Sequence, residues 1–368
     1  MKIVKSNRDG AQSRSRHLFV AVICLGLLAA LSSGCATSPS EKKDIDMVWP
    51  LPPDEPKIKF VDVIYSVDDL GEKKGIAESL FGDEKADYFS KLYGVAVDSE
   101  GKIYMTDVGR VWVIDMKKKD YKFIGVEPGL GRVRFPIGVA TSSDGRLFVA
   151  DVSADRVFVY SNGKYVASIG HEGELNGPSG VAVDEKRNVV YVVDVKKHFV
   201  NVYSLKDYSK IRTLGTRGDN PGEFNYPTNI ALDAEGNLYV VDTGNCRVQV
   251  FDPSGKYMRS IGKLGDNPGE LARPKGIAID SEGHIYVLDA AFNNFQIFDK
   301  EGRLLLAVGS AGAEPGKFLL PAGIAIDRDD KIYVINQAPA SLQIFQYLGE
   351  KWKKARADAA GDKTSSAK

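Results

Sequence analysis

Aspartate recurs five times at the end of a short apolar run, as in VYVVD and LYVVD. Carboxylates are preferred ligands of Ca²⁺, so a ring of these side chains would favour a divalent cation. Recurrence favours a structural role instead. A catalytic or metal-binding group needs one particular environment, whereas a residue repeated in segment after segment meets a requirement of the fold. We therefore predict structural turn carboxylates at Asp107, Asp151, Asp194, Asp242 and Asp289.

The segments after these apolar runs are rich in long cations and amides. The residues are Arg110, Arg156, Lys197, His198, Asn245, Arg247, Asn293, Asn294 and Gln337. Guanidinium, ammonium and amide groups bind carboxylates and sugar hydroxyls, so these residues form a candidate binding rim for an acidic or sugar-like ligand. A rim that is only solvated is the alternative reading.

Asn229 joins the candidate rim for a different reason. It stands where Gly occurs in five equivalent segments of the chain. Its amide oxygen could contribute to an oxygen-lined Ca²⁺ or Mg²⁺ site. Alternatively, Asn serves the local turn, because it tolerates left-handed backbone.

Other catalytic chemistry has little support in the sequence. His171 and His198 fall in turns expected at one end of the fold and His284 at the other, so a three-His zinc site cannot form from them. Cys246 has no general base nearby and is read as a packing residue. The chain contains no Gly-x-Ser-x-Gly, His-Glu-x-x-His or phosphate-loop motif. We therefore predict no catalytic residue, metal site or cofactor.

Six copies of one short pattern carry these residues. The copies are GVAVD at 94–98, GVATS at 138–142, GVAVD at 180–184, NIALD at 229–233, GIAID at 276–280 and GIAID at 323–327. Second and third apolar strands follow each copy, separated by Gly-containing turns, and fourth strands such as YMRSIG complete the unit. Starting positions advance by 42 to 49 residues, which fits one four-stranded blade per copy.

The two ends of this repeat array predict how the ring closes. The sixth copy has three strands, ending near LQIFQYL at 342–348, and KIKFVDVIY at 57–65 matches the missing fourth strand. Joining both ends in one blade would pair the exposed strand edges. The sequence therefore predicts an all-β fold, a six-bladed β-propeller of four-stranded antiparallel blades, whose last blade is closed by the N-terminal strand 57–65.

The repeat resembles the NHL repeat over about residues 57–348, with the loop GDNPGEFNYP before NIALD as its most specific segment. The resemblance implies that the recurrent Asp accepts hydrogen bonds that shape the next turn. The start WPLPPDEPKI also resembles that of bacterial six-bladed propeller lipoproteins. Some similar propellers are metal-dependent lyases or hydrolases, which makes an enzyme the rival hypothesis.

Residues 1–34 read as a lipoprotein signal peptide, with Lys and Arg before the apolar run 18–31 and then SSG before Cys35. This end resembles a lipobox, which implies lipidation of Cys35, membrane attachment and a bacterial cell-envelope location, with the outer membrane favoured. Residues 35–56 would form a polar, Pro-rich tether. Removal of residues 1–34 leaves 44 basic and 48 acidic residues. Together with export, this balance argues against a nucleic-acid partner.

Two further segments lie beside the repeats. The insertion 68–92 has a mixed charged and apolar pattern, which predicts one or two short helices that either cover the channel or pack without a ligand role. Residues 349–368 are rich in Ala and Lys and predict a disordered charged tail or a frayed helix.

The sequence thus favours a membrane-anchored, extracytoplasmic binding or scaffolding lipoprotein, whose rigid propeller face meets an envelope protein or a polysaccharide. The alternative is a metal-dependent, Ca²⁺-type lyase or hydrolase acting in the central channel, with the divalent cation as its cofactor. Under the first hypothesis no cofactor is needed.

Overall fold

The computed structural model describes residues 46–71 and 88–365, which form six blades of four antiparallel strands, and so confirms the predicted propeller. Blade 1 contains β3 (Val95–Val97), β4 (Ile103–Asp107), β5 (Arg110–Asp115) and β6 (Asp120–Ile124). Blade 2 contains β7 (Pro136–Thr141), β8 (Arg146–Asp151), β9 (Arg156–Ser161) and β10 (Lys164–Ile169). Blade 3 contains β11 (Pro178–Asp184), β12 (Val189–Asp194), β13 (Phe199–Ser204) and β14 (Lys210–Leu214).

The remaining blades follow the same order. Blade 4 contains β15 (Pro227–Leu232), β16 (Leu238–Asp242), β17 (Arg247–Phe251) and β18 (Tyr257–Ile261). Blade 5 contains β19 (Pro274–Ile279), β20 (Ile285–Asp289), β21 (Asn294–Phe298) and β22 (Leu304–Val308). Blade 6 combines β23 (Pro321–Ile326), β24 (Lys331–Gln337) and β25 (Ala340–Tyr347) with β2 (Ile58–Ile64) and β1 (Val48–Trp49) from the N-terminal side.

Burial follows strand position within a blade. Every residue of β16 is buried, whereas β18 alternates between more and less exposed positions. Inner strands are covered on both faces by the neighbouring blades, but an outer strand has one face in water, which produces the period-two pattern.

The ring closes as predicted, because β2 pairs antiparallel with β25 from Ile58 opposite Tyr347 to Ile64 opposite Leu342. One part of the predicted tether 35–56 is corrected by the structure. Its segment β1 pairs with the outer edge of β2, and so adds a fifth strand to blade 6. Trp49 in this strand packs edge-on against Phe345, with 5.8 Å between the ring centroids, which stabilises the pairing.

Hydrophobic clusters occupy the interfaces between neighbouring blades, six in all within the described residues. Between blades 5 and 6, Phe345 lies 5.6 Å from Phe295 and 6.1 Å from Phe318, measured between ring centroids. Each cluster takes side chains from two blades. The cluster between blades 6 and 1 is therefore completed only when the ring closes.

Of the two alternatives for the tail, a disordered segment or a frayed helix, the structure has the helix, α1 (Glu350–Ser365). Ala, Lys and Glu have high helix propensity, and the first turn is attached to the propeller. The Glu350 N–H donates to Glu282 at 2.9 Å, and Lys353 pairs with Glu55 at 3.0 Å.

Several sequence predictions fall partly or wholly outside the described residues. The signal peptide 1–34 and the first half of the tether, residues 35–45 with Cys35, lie before residue 46. The insertion 68–92 begins in a 3₁₀-helix at Val67–Leu70, and its residues 72–87 lie outside the described part. No helix within residues 46–71 and 88–365 has the length and apolar character needed to cross a membrane.

Candidate functional site

The five recurrent aspartates are fully buried, and their carboxylates accept hydrogen bonds from loops. Asp151 shows the arrangement: it accepts N–H bonds from Arg134 and Phe135, just before β7, and from Ser153 and Ala154 in the turn after β8. Asp107, Asp194, Asp242 and Asp289 likewise bond the residues that precede the first strand of their own blades. Within the described residues, no three His, Cys, Asp or Glu side chains are grouped to hold a metal.

The turns between the second and third strands of the blades all lie at one end of the propeller, which we call the rim face. The candidate rim residues lie at this end. Several rim cations bond to the protein itself. Arg247 pairs with buried Asp242 at 2.9 Å and donates to two carbonyl groups of the preceding loop. The ammonium of Lys197 donates to two loop carbonyls. Arg110 stacks over Trp112, with its guanidinium carbon 4.5 Å from the ring centroid. Unlike these, Arg156 forms no side-chain hydrogen bond or ion pair within the described part.

Two further rim residues connect neighbouring blades. The Nδ1 atom of buried His198 accepts the N–H of Tyr226 at 3.0 Å, and Asn293 accepts the N–H of Leu320 at 3.2 Å. Asp155 makes the equivalent bond to Gly177. All three acceptors have positive φ and stand four residues after the aspartate that ends the second strand. This spacing was the available sequence signal for a connecting role.

Cys246 occupies the same repeat position in blade 4, also with positive φ. Its thiol donates to the carbonyl of Ala272 at 3.2 Å. Burial raises the pKa of the Cys246 thiol, and the Asp289 and Asp242 carboxylates raise it further. A raised pKa keeps the sulfur protonated and weakly nucleophilic.

Some amide side chains of the rim are bonded within the fold, and others are not. Asn245 donates to Asp242 at 2.8 Å, and Gln337 donates to the carbonyl of Leu92 at 2.7 Å, across the junction of blades 6 and 1. Asn294 has a buried side-chain oxygen without a hydrogen-bond partner in the described structure. Asn229 lines a cavity at the centre of the propeller.

This axial cavity has a volume of about 620 Å³ and is lined by the first strands of all six blades. Three successive repeat positions form rings around it. The mouth ring comprises Tyr93, Ile137, Ser179, Thr228, Lys275 and Ala322. The glycine ring comprises Gly94, Gly138, Gly180, Asn229, Gly276 and Gly323, all of which except Gly276 line the cavity. The aliphatic ring comprises Val95, Val139, Val181, Ile230, Ile277 and Ile324.

Close approach of the first strands explains the glycine ring. A Cβ added to Gly180 would lie 2.7 Å from Cα of Asn229 and 3.0 Å from the backbone nitrogen of Ile230. A Cβ on Gly138 would overlap the carbonyl oxygen of Ser179. Asn229 is therefore the single ring member that brings a side chain, and its Oδ1 accepts the N–H of Ile230 at 2.8 Å.

The charged residues of the cavity are all basic among the described lining residues: Lys196, Arg273 and Lys275. Lys275 is half-buried as a residue, and its ammonium forms no hydrogen bond or ion pair within the described chain. Burial lowers the pKa of Lys275, and the neighbouring Arg273 guanidinium lowers it further. The predicted rim omitted these three cations. The sequence signal for Lys275 was its mouth-ring position, directly before the [GN]-[VI]-A motif, because Lys occurs there in one of the six copies.

The closed ring, the recurrent buried Asp and the axial cavity define an NHL-type six-bladed propeller. The chain belongs to the DUF5128 family, described as 6-bladed beta-propeller, whose model matches residues 136–216, 222–295 and 281–352.

Curated relatives match parts of the repeat array. E3 ubiquitin-protein ligase TRIM71 of Gallus gallus is 31% identical over 141 residues, which is 36% of this chain and 14% of that protein. NHL repeat-containing protein 3 of Mus musculus is 35% identical over 81 residues, or 22% of this chain and 23% of that protein. The matched segments thus span less than a quarter of these relatives.

Solved structures share the fold at low identity. A structural genomics protein of unknown function from Bacteroides thetaiotaomicron has a TM-score of 0.57 and 18% identity, covering 79% of this chain and 75% of that chain. A streptogramin B lyase structure has a TM-score of 0.53 and 14% identity, covering 70% of this chain and 94% of that chain. These likenesses show the fold alone.

Proposed function

We propose that this chain is a lipid-anchored, extracytoplasmic binding protein that receives an envelope protein or polysaccharide at the rim face of its propeller. The axial cavity carries the proposal. It has the size of a ligand pocket, about 620 Å³, and at the rim face its lining includes Val152 and Val195 from turns and Gln337 from the end of β24. A closed ring holds these turns in fixed positions, which limits the entropy lost when a partner binds.

The polar groups that line the axial cavity favour ligand binding over metal-dependent catalysis. A Ca²⁺-type lyase or hydrolase needs several oxygen ligands with negative charge among them. The described cavity lining offers three cations, and the recurrent aspartates are buried in loop-forming hydrogen bonds away from it. Asn229 supplies one amide oxygen, but the Ile230 N–H already occupies it. We therefore place the metal-dependent enzyme second.

Attachment to the membrane would run through Cys35. The basic segment, the apolar run 18–31 and SSG before Cys35 support lipidation, and a bacterial envelope location follows from it, with the outer membrane favoured. The twelve residues between Cys35 and β1 can extend at most about 40 Å. Because β1 pairs with the outer edge of blade 6, the tether would join the propeller at that blade.

Fractionation tests the anchor. In the native host, the wild-type protein should sediment with membranes, and Cys35→Ser should move to the soluble extracytoplasmic fraction. Cys246→Ser is the matched control, because a serine hydroxyl can also donate to the Ala272 carbonyl. Continued sedimentation of Cys35→Ser at the wild-type level would refute lipid attachment.

Site-specific crosslinking tests the binding face. A photo-crosslinking amino acid at Val108, an exposed turn residue of the rim face, should give a discrete adduct in intact cells. The matched position is exposed Arg328, in a turn between the first and second strands of blade 6, at the opposite end. An adduct from position 328 and none from position 108 would contradict the proposed face. Metal analysis of the same preparation checks the alternative, which requires a stoichiometric divalent ion.

A further inference from the structure

Lys275 has no evident role in the fold. The equivalent mouth-ring positions of the other blades hold Tyr, Ile, Ser, Thr and Ala, so blade packing does not require a cation there. Ser179 and Thr228 use their hydroxyl groups to bond the next blade, through the carbonyls of Thr228 and Lys275 respectively. The ammonium of Lys275, by contrast, forms no bond within the described chain. An unpaired, half-buried charge is unfavourable, which suggests that its counter-charge comes from outside the chain.

Two more cations and one amide near Lys275 could also bind an anion. Arg273 also lines the cavity, and its guanidinium contacts the chain through a long bond of 3.4 Å to the Ala290 carbonyl. Lys196 lines the cavity from the turn after β12 and is exposed. Asn229 uses its oxygen for the Ile230 N–H, so its NH₂ group remains as a donor toward a ligand.

We propose that the axial cavity binds a small anionic ligand whose carboxylate or phosphate group is held by Lys275, assisted by Arg273 and the Asn229 amide. Charge-assisted hydrogen bonds to such groups are the strongest that these side chains make. The volume of about 620 Å³ suits one or two sugar rings, and the aliphatic ring supplies an apolar surface for their faces. This inference rests on the proposed binding function and names the ligand class at that face.

Calorimetric titration at constant ionic strength tests the site. The probes are inorganic phosphate, glucose 6-phosphate and glucuronate, with glucose as the neutral match. At least one anionic probe should bind wild-type protein, and glucose should not. Lys275→Gln should weaken binding about tenfold or more, since it removes a charge-assisted bond. Lys275→Arg should retain most of the affinity.

The control is Lys164→Gln, which removes an exposed lysine at the start of outer strand β10 and should leave affinity unchanged. Thermal unfolding in chloride buffer shows whether each variant is folded. Binding of the phosphate probes alone or of glucuronate alone supports the site and identifies its preferred group. Failure of all three anions to bind, or equal affinities in wild type and Lys275→Gln, would overturn the proposal. The crosslinking at Val108 tests the partner-binding face separately, so a failure of the anion site can be distinguished from a failure of the proposed binding function.

Discussion

Replacement of Lys275 by Met should stabilise the ligand-free propeller. Met has a similar length but no charge, so the change removes an unpaired ammonium and its repulsion by Arg273. Mutational data place the cost of a buried, unsatisfied polar group at about 1 to 3 kcal/mol. Lys275 is only half-buried, so we take the lower end of that range. The free energy of unfolding should then rise by about 1 kcal/mol, which raises Tm by roughly 2 °C for a domain of this size.

The pH dependence of this gain follows from the lowered pKa of Lys275. At a pH below the folded-state pKa, the protonated amine carries its full penalty in the folded state. As the pH rises through the folded-state pKa toward the ordinary lysine value, the folded state releases its proton first and the penalty disappears. The advantage of Lys275→Met over wild type should therefore shrink between neutral pH and about pH 10.

Scanning calorimetry in phosphate-free chloride buffer, repeated at several pH values, measures both effects. Lys164→Met is the control, because its exposed side chain should leave Tm unchanged at every pH. A loss of stability in Lys275→Met, or a difference independent of pH up to 10, would show that Lys275 contributes to the fold and would remove the reason to assign it to a ligand.

Three further changes test the surrounding structure. Asp242→Ala should lower the free energy of unfolding by about 3 kcal/mol in urea, because four donors lose a buried acceptor; a loss near 0.5 kcal/mol would contradict its turn role. Gly180→Ala should cost about 2 kcal/mol, since its Cβ meets Asn229 backbone, and an unchanged urea midpoint would show that the first strands can separate freely. His284→Gln should remove a pH-dependent contribution: the hydrogen bond to Asp280 raises the pKa of His284 above 6.5, so this stability is complete below pH 6.5 and is lost as the pH rises through the folded-state value. Wild type and His284→Gln should thus differ more at pH 5.5 than at pH 9, and an equal difference would exclude the charged pair.

Sequence patterns predicted the propeller because its determinants are local and repeated. Each blade carries its own turns and apolar strands, and the closing segment 57–65 shows the fourth-strand pattern that copy six lacks. The structure places that strand at Ile58–Ile64. The same reasoning failed where a segment acquires structure from distant contacts. Val48–Trp49, at the start of the Pro-rich stretch, pair with β2 as a strand, and Trp49 packs there against Phe345, almost 300 residues away in sequence.

Sequence alone also established which residues recur and which depart from the repeat, including Asn229 in the glycine ring. It could not decide which cations remain available for a ligand. Arg247 and His198 belonged to the predicted rim, but the structure gives them partners 24 to 28 residues away, in the loop or the blade next to them. Lys196 lies far along the chain from Arg273 and Lys275, and the three cations meet at one cavity only after the ring has closed. Repetition along the chain determined the blades, whereas closure of the ring decided what faces its axis.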